Sequence, residues 1–316
     1  MEKKTKNKTR VICIYNQKGG VGKSTLAVNT SAILAEVKKK KVLLIDFDAQ
    51  GTATLMCNIP FWDDSIPNIG RLISAFALNG YQASIDEILE CVTNGKVMKN
   101  VRREGEFGWD KIEYTYPFDI LPVCGTELSI GELAIHNRDN FIYKNVELSF
   151  YMLKLIVDKI IEECNYDYII IDANPSLSSF AINSLVASDY LIVPTTMTTE
   201  AVNGIQAIFR RLEELSLVIP YFRPLGIVYQ KYDGHRTLDR DIVKNTVFEE
   251  FETKIPDVNT KISQSINDNY IPALRTDKKY AAIRQAYINL VNEIEDKINK
   301  HEEEYGEIVR KEIYGN

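Results

Sequence analysis

A glycine-rich segment near the start of the chain constrains its fold more than any other feature. The segment follows the apolar run of residues 11–15 and precedes a helical pattern over residues 25–36. A strand, a glycine turn and a helix N-terminus in this order form a phosphate cradle, because backbone N–H groups and the positive end of the helix dipole face one anion. We therefore predict that this segment, the phosphate loop, binds a nucleotide. It reads Asn16-Gln17-Lys18-Gly19-Gly20-Val21-Gly22-Lys23-Ser24-Thr25.

Two lysines distinguish the phosphate loop, whose nucleotide contacts we expect from Lys18 through Thr25. Lys23 is expected to reach the β- and γ-phosphates, and the Ser24 hydroxyl is expected to ligate Mg²⁺. The usual pattern G-x-x-x-x-G-K-[ST] requires glycine where Gln17 stands, and Lys18 adds a second ammonium five residues before Lys23. This second positive charge indicates that more of the negative charge of the phosphates is neutralised than nucleotide binding alone requires. The alternative is a chance glycine turn with two solvated lysines, and ten matching residues in the right context disfavour it.

Two further apolar runs end in carboxylates. The run of residues 168–171 leads into Asp172, which fits a Walker B element whose carboxylate holds Mg²⁺ through water. The run of residues 42–45 predicts a buried parallel strand and leads into Asp46 and Asp48. Ligands of α/β proteins bind at the carboxyl ends of strands, so both groups are expected beside the phosphate loop.

The order of strands and helices predicts an α/β fold, a doubly wound and mostly parallel sheet with a phosphate loop and helices on both faces. We predict a basic flexible tail over residues 1–9, a single ATPase domain over 10–300, and a charged tail over 301–316. Residues 57–117 are interpreted as an elaboration of that domain. Within it, aromatic residues near Arg102 and Arg103 favour a hydrophobic cluster over base stacking; they are Trp62, Phe107, Trp109, Tyr114 and Tyr116.

Three helices are predicted with their ends. Ser84 and Glu87 form the pattern of a capping box, which opens a helix through Cys91. Apolar spacing predicts a helix over 141–164 and a final helix over 280–300.

The phosphate loop with its early lysine resembles the deviant Walker A signature of the ParA/MinD ATPases, in particular the ParA (Soj-like) plasmid or chromosome partition ATPases. The resemblance implies ATP and Mg²⁺ as cofactors, and Lys18, Lys23 and Asp48 as catalytic residues. In that family the early lysine reaches the partner's nucleotide across a dimer interface. The stretch from Asp46 to Gly51 resembles the D-x-D-x-Q-G segment, in which the second aspartate positions the attacking water and contacts the metal shell. Ser24, Asp48 and Asp172 are then expected to hold Mg²⁺, the aspartates through water.

The same resemblance extends more loosely beyond residue 230. It implies that Gln230 contributes to the adenine pocket, and that Arg236 and Lys261 face DNA together with Lys278 and Lys279. A weak ATP hydrolase follows as the expected activity, with an ATP-dependent homodimer that binds double-stranded DNA nonspecifically. A ParB-like centromere-binding partner is expected to stimulate hydrolysis. We expect a cytoplasmic protein associated with the nucleoid.

Composition limits the alternatives. The net charge of −6 restricts any DNA-binding face to a local cluster of basic residues. A MinD-like membrane-positioning ATPase is disfavoured because the chain shows no basic amphipathic helix at its end, and no apolar run approaches the about 18 residues of a membrane span. A reductase or metal-cluster ATPase of the same fold remains open, although the five cysteines form no C-x-x-C pair.

Overall fold

The computed structural model of the protein describes residues 8–102, 109–136, 149–176, 178–198, 205, 223–232, 249–256, 271–276, 278–306, 308 and 310. Its strands are β1 (Arg10–Ile14), β2 (Val42–Phe47), β3 (Lys96–Arg102), β4 (Trp109–Thr115), β5 (Asp119–Leu121), β6 (Tyr168–Ala173), β7 (Tyr190–Thr196) and β8 (Arg223–Gln230). Its helices are α1 (Lys23–Glu36), α2 (Thr52–Met56), α3 (Ile69–Asn79), α4 (Ile85–Glu90), α5 (Gly125–His136), α6 (Met152–Glu163), α7 (Ser179–Val186) and α8 (Ala281–Tyr305).

Six parallel strands form the central sheet in the order β5-β2-β6-β1-β7-β8. Helices cover both faces, because neighbouring residues of each buried strand point to opposite sides. Ile12 and Leu44 pack in the cluster that contains residues of α1 and α8. Val11 and Leu43 pack in a second cluster with residues of α3 and α6. The predicted α/β fold with helices on both faces is confirmed.

Of the predicted helix over residues 141–164, the part from Met152 to Glu163 is confirmed, whereas the described residues 149–151 are not α-helical. Residues 141–148 lie outside the described part of the chain, and the helix α6 begins only at Met152. The reason is a contact from another helix. The Asn183 side chain accepts the N–H of Leu153 at 3.1 Å and donates to the carbonyl of Ser149 at 2.7 Å. This amide stabilises the first turn of α6, and local apolar spacing does not reveal it.

The final helix extends further than the sequence indicates. It ends at Tyr305, where Gly306 adopts a left-handed φ of 71° that favours glycine. Glu302, expected in a charged tail, lies inside this helix and forms a salt bridge with Arg10 at 2.9 Å. At the other end of the chain the Thr9 hydroxyl donates to the carbonyl of Tyr166 at 2.7 Å. Residues 1–7 of the predicted basic tail lie outside the described residues.

The segment 57–117 contains α3, α4 and the antiparallel hairpin β3–β4. The capping box at Ser84 and Glu87 is present as predicted. Tyr116 is buried and stacks on Phe118 with 6.0 Å between ring centroids, which agrees with a hydrophobic cluster. Trp62, by contrast, is 68% exposed. Arg103 and Phe107 are not among the described residues.

Candidate nucleotide-binding site

The phosphate loop leaves β1 and is held open by its glycines. Gly20 and Gly22 have φ values of 74° and 91°, a left-handed backbone that glycine adopts without steric cost. A Cβ atom added at Gly19 or Gly20 would meet no other atom within 4 Å, so this side of the loop has open space. Asn16 anchors the start of the loop, since its amide donates to the carbonyl of Pro194 at 2.7 Å and accepts the N–H of Lys18 at 2.9 Å.

The helix α1 begins directly at the phosphate loop. Gly22 is its N-cap residue, and no side chain caps the first turn. The N–H groups of that turn are therefore available for an anion, which the helix dipole also favours. Lys23 is only 6% exposed and its ammonium lies 3.4 Å from the carbonyl oxygen of Lys18. Lys18 itself is exposed, and Ser24 is half-buried.

The strand order brings three carboxylates to the edge of the sheet at which the phosphate loop begins. In the parallel register, Asp172 of β6 lies opposite Ile14 of β1 on one side and Asp46 of β2 on the other. Asp46 is fully buried and accepts the backbone N–H of Thr54 at 2.7 Å and its hydroxyl at 2.8 Å. Burial raises the pKa of Asp46, and these hydrogen bonds oppose that rise. Asp46 also accepts the N–H of Asp48 at 3.3 Å, so it holds the loop that carries Asp48.

Asp172 is the carboxylate least satisfied by the protein. It is fully buried, and neither of its oxygens has a hydrogen-bond partner within the usual distance limit. Burial raises its pKa well above the ordinary value, and the negative charge of Asp46 adds to the rise. The Ser24 hydroxyl and the Lys23 ammonium lie close enough to lower that pKa. Such a buried carboxylate is stabilised when a cation binds it, and the neighbouring hydroxyl is a second oxygen ligand. The arrangement therefore fits a cation site.

Asp48 lies within electrostatic reach of the same lysine. Burial raises its pKa, whereas the hydrogen bond from the N–H of Gln50 and the charge of Lys23 lower it. The pKa of Lys23 is lowered by burial and raised by the charges of Asp172 and Asp48. The structure therefore brings together Lys23, Ser24, Asp48 and Asp172, as the sequence predicts.

The donor set fits Mg²⁺ better than a metal held by protein ligands alone. Among the described residues, no group of three His, Cys, Asp or Glu side chains has the arrangement of a metal site. Magnesium usually keeps several waters and takes one or two carboxylates together with phosphate oxygens. Ser24, Asp48 and Asp172 could supply the few protein ligands that Mg²⁺ takes in such a site.

The end of β8 contacts the phosphate loop. The Gln230 amide, 3% exposed, donates to the carbonyl of Gly22 at 2.9 Å. The implied place of Gln230 in an adenine pocket is not tested by this contact. Its neighbour Lys231 donates from its ammonium to the carbonyl of Gly20 at 2.9 Å. Sequence reasoning missed Lys231, because no motif marks a lysine that lies more than two hundred residues after its partner.

The DNA-facing residues expected from the sequence are only partly described. Lys278 and Lys279 are exposed just before α8. The Lys279 ammonium lies 5.4 Å from the ring centroid of Tyr280. Arg236 and Lys261 lie outside the described residues, so the structure does not bring the four basic residues together or separate them.

Three observations bear on the alternative functions. No helix in the described part of the chain combines the length and hydropathy needed to cross a membrane. The apolar stripe of α8 is buried in the core, from Ile283 to Ile298. All five cysteines are free thiols, and Cys164 is the one that is not fully buried.

Comparisons with known proteins agree with this geometry. A family described as "AAA domain" matches residues 9–103 and 121–219. An uncharacterised protein of Methanocaldococcus jannaschii is 35% identical over 225 residues, which cover 70% of this chain and 73% of that protein. The chromosome partitioning protein ParA of Caulobacter vibrioides is 26% identical over 298 residues, or 91% of this chain and 94% of that protein. The chromosome-partitioning ATPase Soj of Thermus thermophilus is 28% identical over 236 residues, 74% of each.

Solved structures share the fold at lower identity. A plasmid partition protein of Borrelia burgdorferi bound to AMPPNP has a TM-score of 0.64 at 24% identity, covering 92% of this chain and 100% of that one. The septum site-determining protein MinD of Pyrococcus horikoshii, complexed with Mg-ADP, has a TM-score of 0.63 at 17% identity, covering 92% of this chain and 97% of that one.

Proposed function

Since the chain belongs to the ParA/MinD family of P-loop ATPases, as the AAA-domain match and the ParA and Soj relatives establish, we propose that it is a ParA-type DNA partition ATPase. The observation that carries this proposal is the loop with two lysines, buried Lys23 and exposed Lys18, beside the unpartnered Asp172. We assign ATP and Mg²⁺ as its cofactors. The Borrelia and Pyrococcus structures, which hold AMPPNP and Mg-ADP respectively, support this assignment.

The first part of the proposal is ATP hydrolysis, in which positioning and charge neutralisation supply most of the rate. Backbone N–H groups of residues 19–25 and the Lys23 ammonium bind the β- and γ-phosphates. Asp48 orients the attacking water, and Asp46 keeps the Asp48 loop in place through its bonds to Thr54. Ser24 directly, and Asp48 and Asp172 through water, would hold Mg²⁺, which when bound neutralises charge on the phosphate oxygens.

The second part is a switch between monomer and dimer. The Lys18 side chain is exposed at the mouth of the phosphate loop, whereas Lys23 is buried and turned into it. An exposed ammonium at this point is free to meet the nucleotide of a second copy. The monomer would hydrolyse ATP slowly, because each site depends on a charge that the partner contributes.

The third part is nonspecific DNA binding by the ATP-bound dimer. Lys278 and Lys279 are exposed cations before α8, and Arg236 and Lys261 complete the proposed face. A protein of net charge −6 needs such a local cluster, since phosphate contacts require only a few basic side chains. DNA binding would keep the ATP-bound protein on the nucleoid, and a ParB-like partner would stimulate hydrolysis and release the protein from the DNA.

Gel retardation of plain double-stranded DNA with ATP, ADP or no nucleotide, at several salt concentrations, tests this function. Binding is expected with ATP only. The double variant Lys278→Ala/Lys279→Ala should weaken binding on every sequence, and the salt slope should fall by roughly one for each phosphate that no longer meets a lysine.

Lys300→Ala is the matched control, because Lys300 is an exposed lysine near the other end of α8. At 1.5 Å per residue, it lies about 30 Å from Lys279, which just precedes that helix. It should bind DNA as the wild type does. Equal DNA binding with all three nucleotide states would contradict the proposed switch.

A membrane-positioning function receives less support. It requires an apolar helix face that is free to meet lipid, and the apolar stripe of α8 is buried against the sheet. Flotation with anionic vesicles and ATP would report such a function directly.

A further inference from the structure

Lys231 has an unusual backbone at the place where β8 ends. Its φ is 57°, in the left-handed region that glycine and asparagine tolerate far better than lysine. Among the described residues, only Lys39 and Asn58 are other non-glycine residues with positive φ. A strained conformation persists where the surroundings over-determine it, and such residues cluster at functional sites.

Contacts on both sides hold Lys231 in this conformation. Gln230 before it pairs with Thr196 of β7. The N–H of Tyr232 after it donates to the carbonyl of Ile255 at 3.0 Å. The chain therefore turns sharply at Lys231, and the side chain extends back to the phosphate loop, where the ammonium lies 2.9 Å from the carbonyl oxygen of Gly20.

Two neighbouring residues at the end of β8 thus hold two carbonyls of one loop. Lys231 binds the carbonyl of Gly20, and Gln230 binds that of Gly22. In a trans peptide the C=O and the following N–H point in opposite directions, and this chain has no cis peptide bonds among its described residues. A carbonyl held toward the end of β8 therefore turns the next N–H, that of Val21 or Lys23, toward the opposite side of the loop.

We propose that Lys231 is a positioning residue of the phosphate loop, which keeps the Gly20 carbonyl away from the phosphates and the Val21 N–H toward them. The glycine at position 20 makes this restraint necessary, because a glycine peptide can rotate to either orientation at little cost. A rotated peptide would present a carbonyl oxygen to an anion. This inference rests on the proposed function only for the identity of the ligand, a nucleoside di- or triphosphate.

The test compares Lys231→Met with Lys231→Arg, and uses Lys39→Met as the matched control. Lys39 is an exposed lysine with almost the same φ, 56°, but it precedes β2 at the opposite edge of the sheet. Both methionine variants keep the strained backbone and remove one ammonium. Only Lys231→Met removes a hydrogen bond to the phosphate loop.

Calorimetry with Mg-ADP and steady-state ATP hydrolysis, both without DNA, give the readouts. Lys231→Met should weaken Mg-ADP binding and raise KM for ATP by about 5- to 10-fold, within the range for one ordinary hydrogen bond, because the exposure of Lys231 to water weakens the effect of its charge. The value of kcat should fall by less than about 2-fold, because the restraint acts equally on bound substrate and transition state. Lys231→Arg should restore affinity to within about 2-fold, and Lys39→Met should match the wild type.

Three results would overturn the inference: wild-type affinity in Lys231→Met, equal losses in Lys39→Met, or no recovery in Lys231→Arg. The wild type is measured first. Absence of Mg-ADP binding there would refute the proposed ATPase together with this inference. Binding by the wild type and an unaltered Lys231→Met would refute the role of Lys231 alone.

Discussion

Replacing Asp172 with asparagine should make the nucleotide-free protein more stable. Both carboxylate oxygens of Asp172 are buried with no hydrogen-bond partner within the usual distance limit, the side chain is 0% exposed, and the Ser24 hydroxyl and Lys23 ammonium offset only part of the cost of its charge. An unsatisfied buried charged group costs about 1–3 kcal/mol or more, and the isosteric amide removes the charge without leaving a cavity. The expected gain is therefore about 1–3 kcal/mol, or roughly 1.5–4.5 °C in Tm for a chain of 316 residues.

The pH dependence of this gain has a definite sign. Burial first, and then the charge of Asp46, raise the pKa of Asp172 in the folded protein above its ordinary value. The folded state therefore binds the proton more tightly than the unfolded state. Wild-type stability falls as the pH rises from the ordinary pKa of aspartate, which applies to the unfolded chain, to the raised pKa of the folded protein. The advantage of Asp172→Asn should be largest at the alkaline end of the range and should shrink as the solution is acidified through the raised pKa.

Asp189→Asn is the matched control, since Asp189 is also buried, at 3% exposed, but fully partnered. It accepts the N–H of Val11 at 2.9 Å and forms a salt bridge with Arg310 at 3.0 Å. Its replacement should lower the free energy of unfolding by about 1–3 kcal/mol.

Urea unfolding without nucleotide or metal measures both variants, and calorimetry measures how far Mg²⁺ tightens ATP binding. Asp172→Asn should lose that tightening while gaining stability, the usual opposition of function and stability at a site. A destabilised Asp172→Asn, resembling Asp189→Asn, would refute the reasoning, because Asp172 would then be a structural acceptor.

Three other substitutions separate the roles of the site and the scaffold. Asp48→Ala should bind ATP but stop turnover and accumulate the dimer; phosphate release at the wild-type rate would contradict its assignment. Lys18→Ala should prevent the ATP-dependent dimer in analytical ultracentrifugation, and a normal dimer would argue against a lysine that crosses the interface. Arg310→Leu removes the salt bridges to Asp158 and Asp189, both 3.0 Å long, and should cost about 1–3 kcal/mol in urea unfolding. Its affinity for Mg-ADP should stay unchanged, because this ion pair lies at the sheet edge opposite the phosphate loop.

The sequence by itself predicted those features of the protein that depend on residues adjacent in the chain. The phosphate loop depends on glycines at left-handed positions and on an uncapped helix start, and both requirements concern adjacent residues. The apolar runs that end in Asp46 and Asp172 identify strands whose carboxyl ends reach a ligand. The type of fold follows from such local patterns, and so does the prediction of four residues of the candidate site, Lys23, Ser24, Asp48 and Asp172.

The tertiary structure alone decided which strands are neighbours. Buried parallel strands are interchangeable apolar runs in a sequence, so nothing local indicates that β6 lies between β2 and β1. That order places Asp172 beside both Asp46 and the phosphate loop. The same reason hides the start of α6, which Asn183 of α7 stabilises. It also hides Lys231, whose contact with Gly20 exists only because the end of β8 returns to the first loop of the chain.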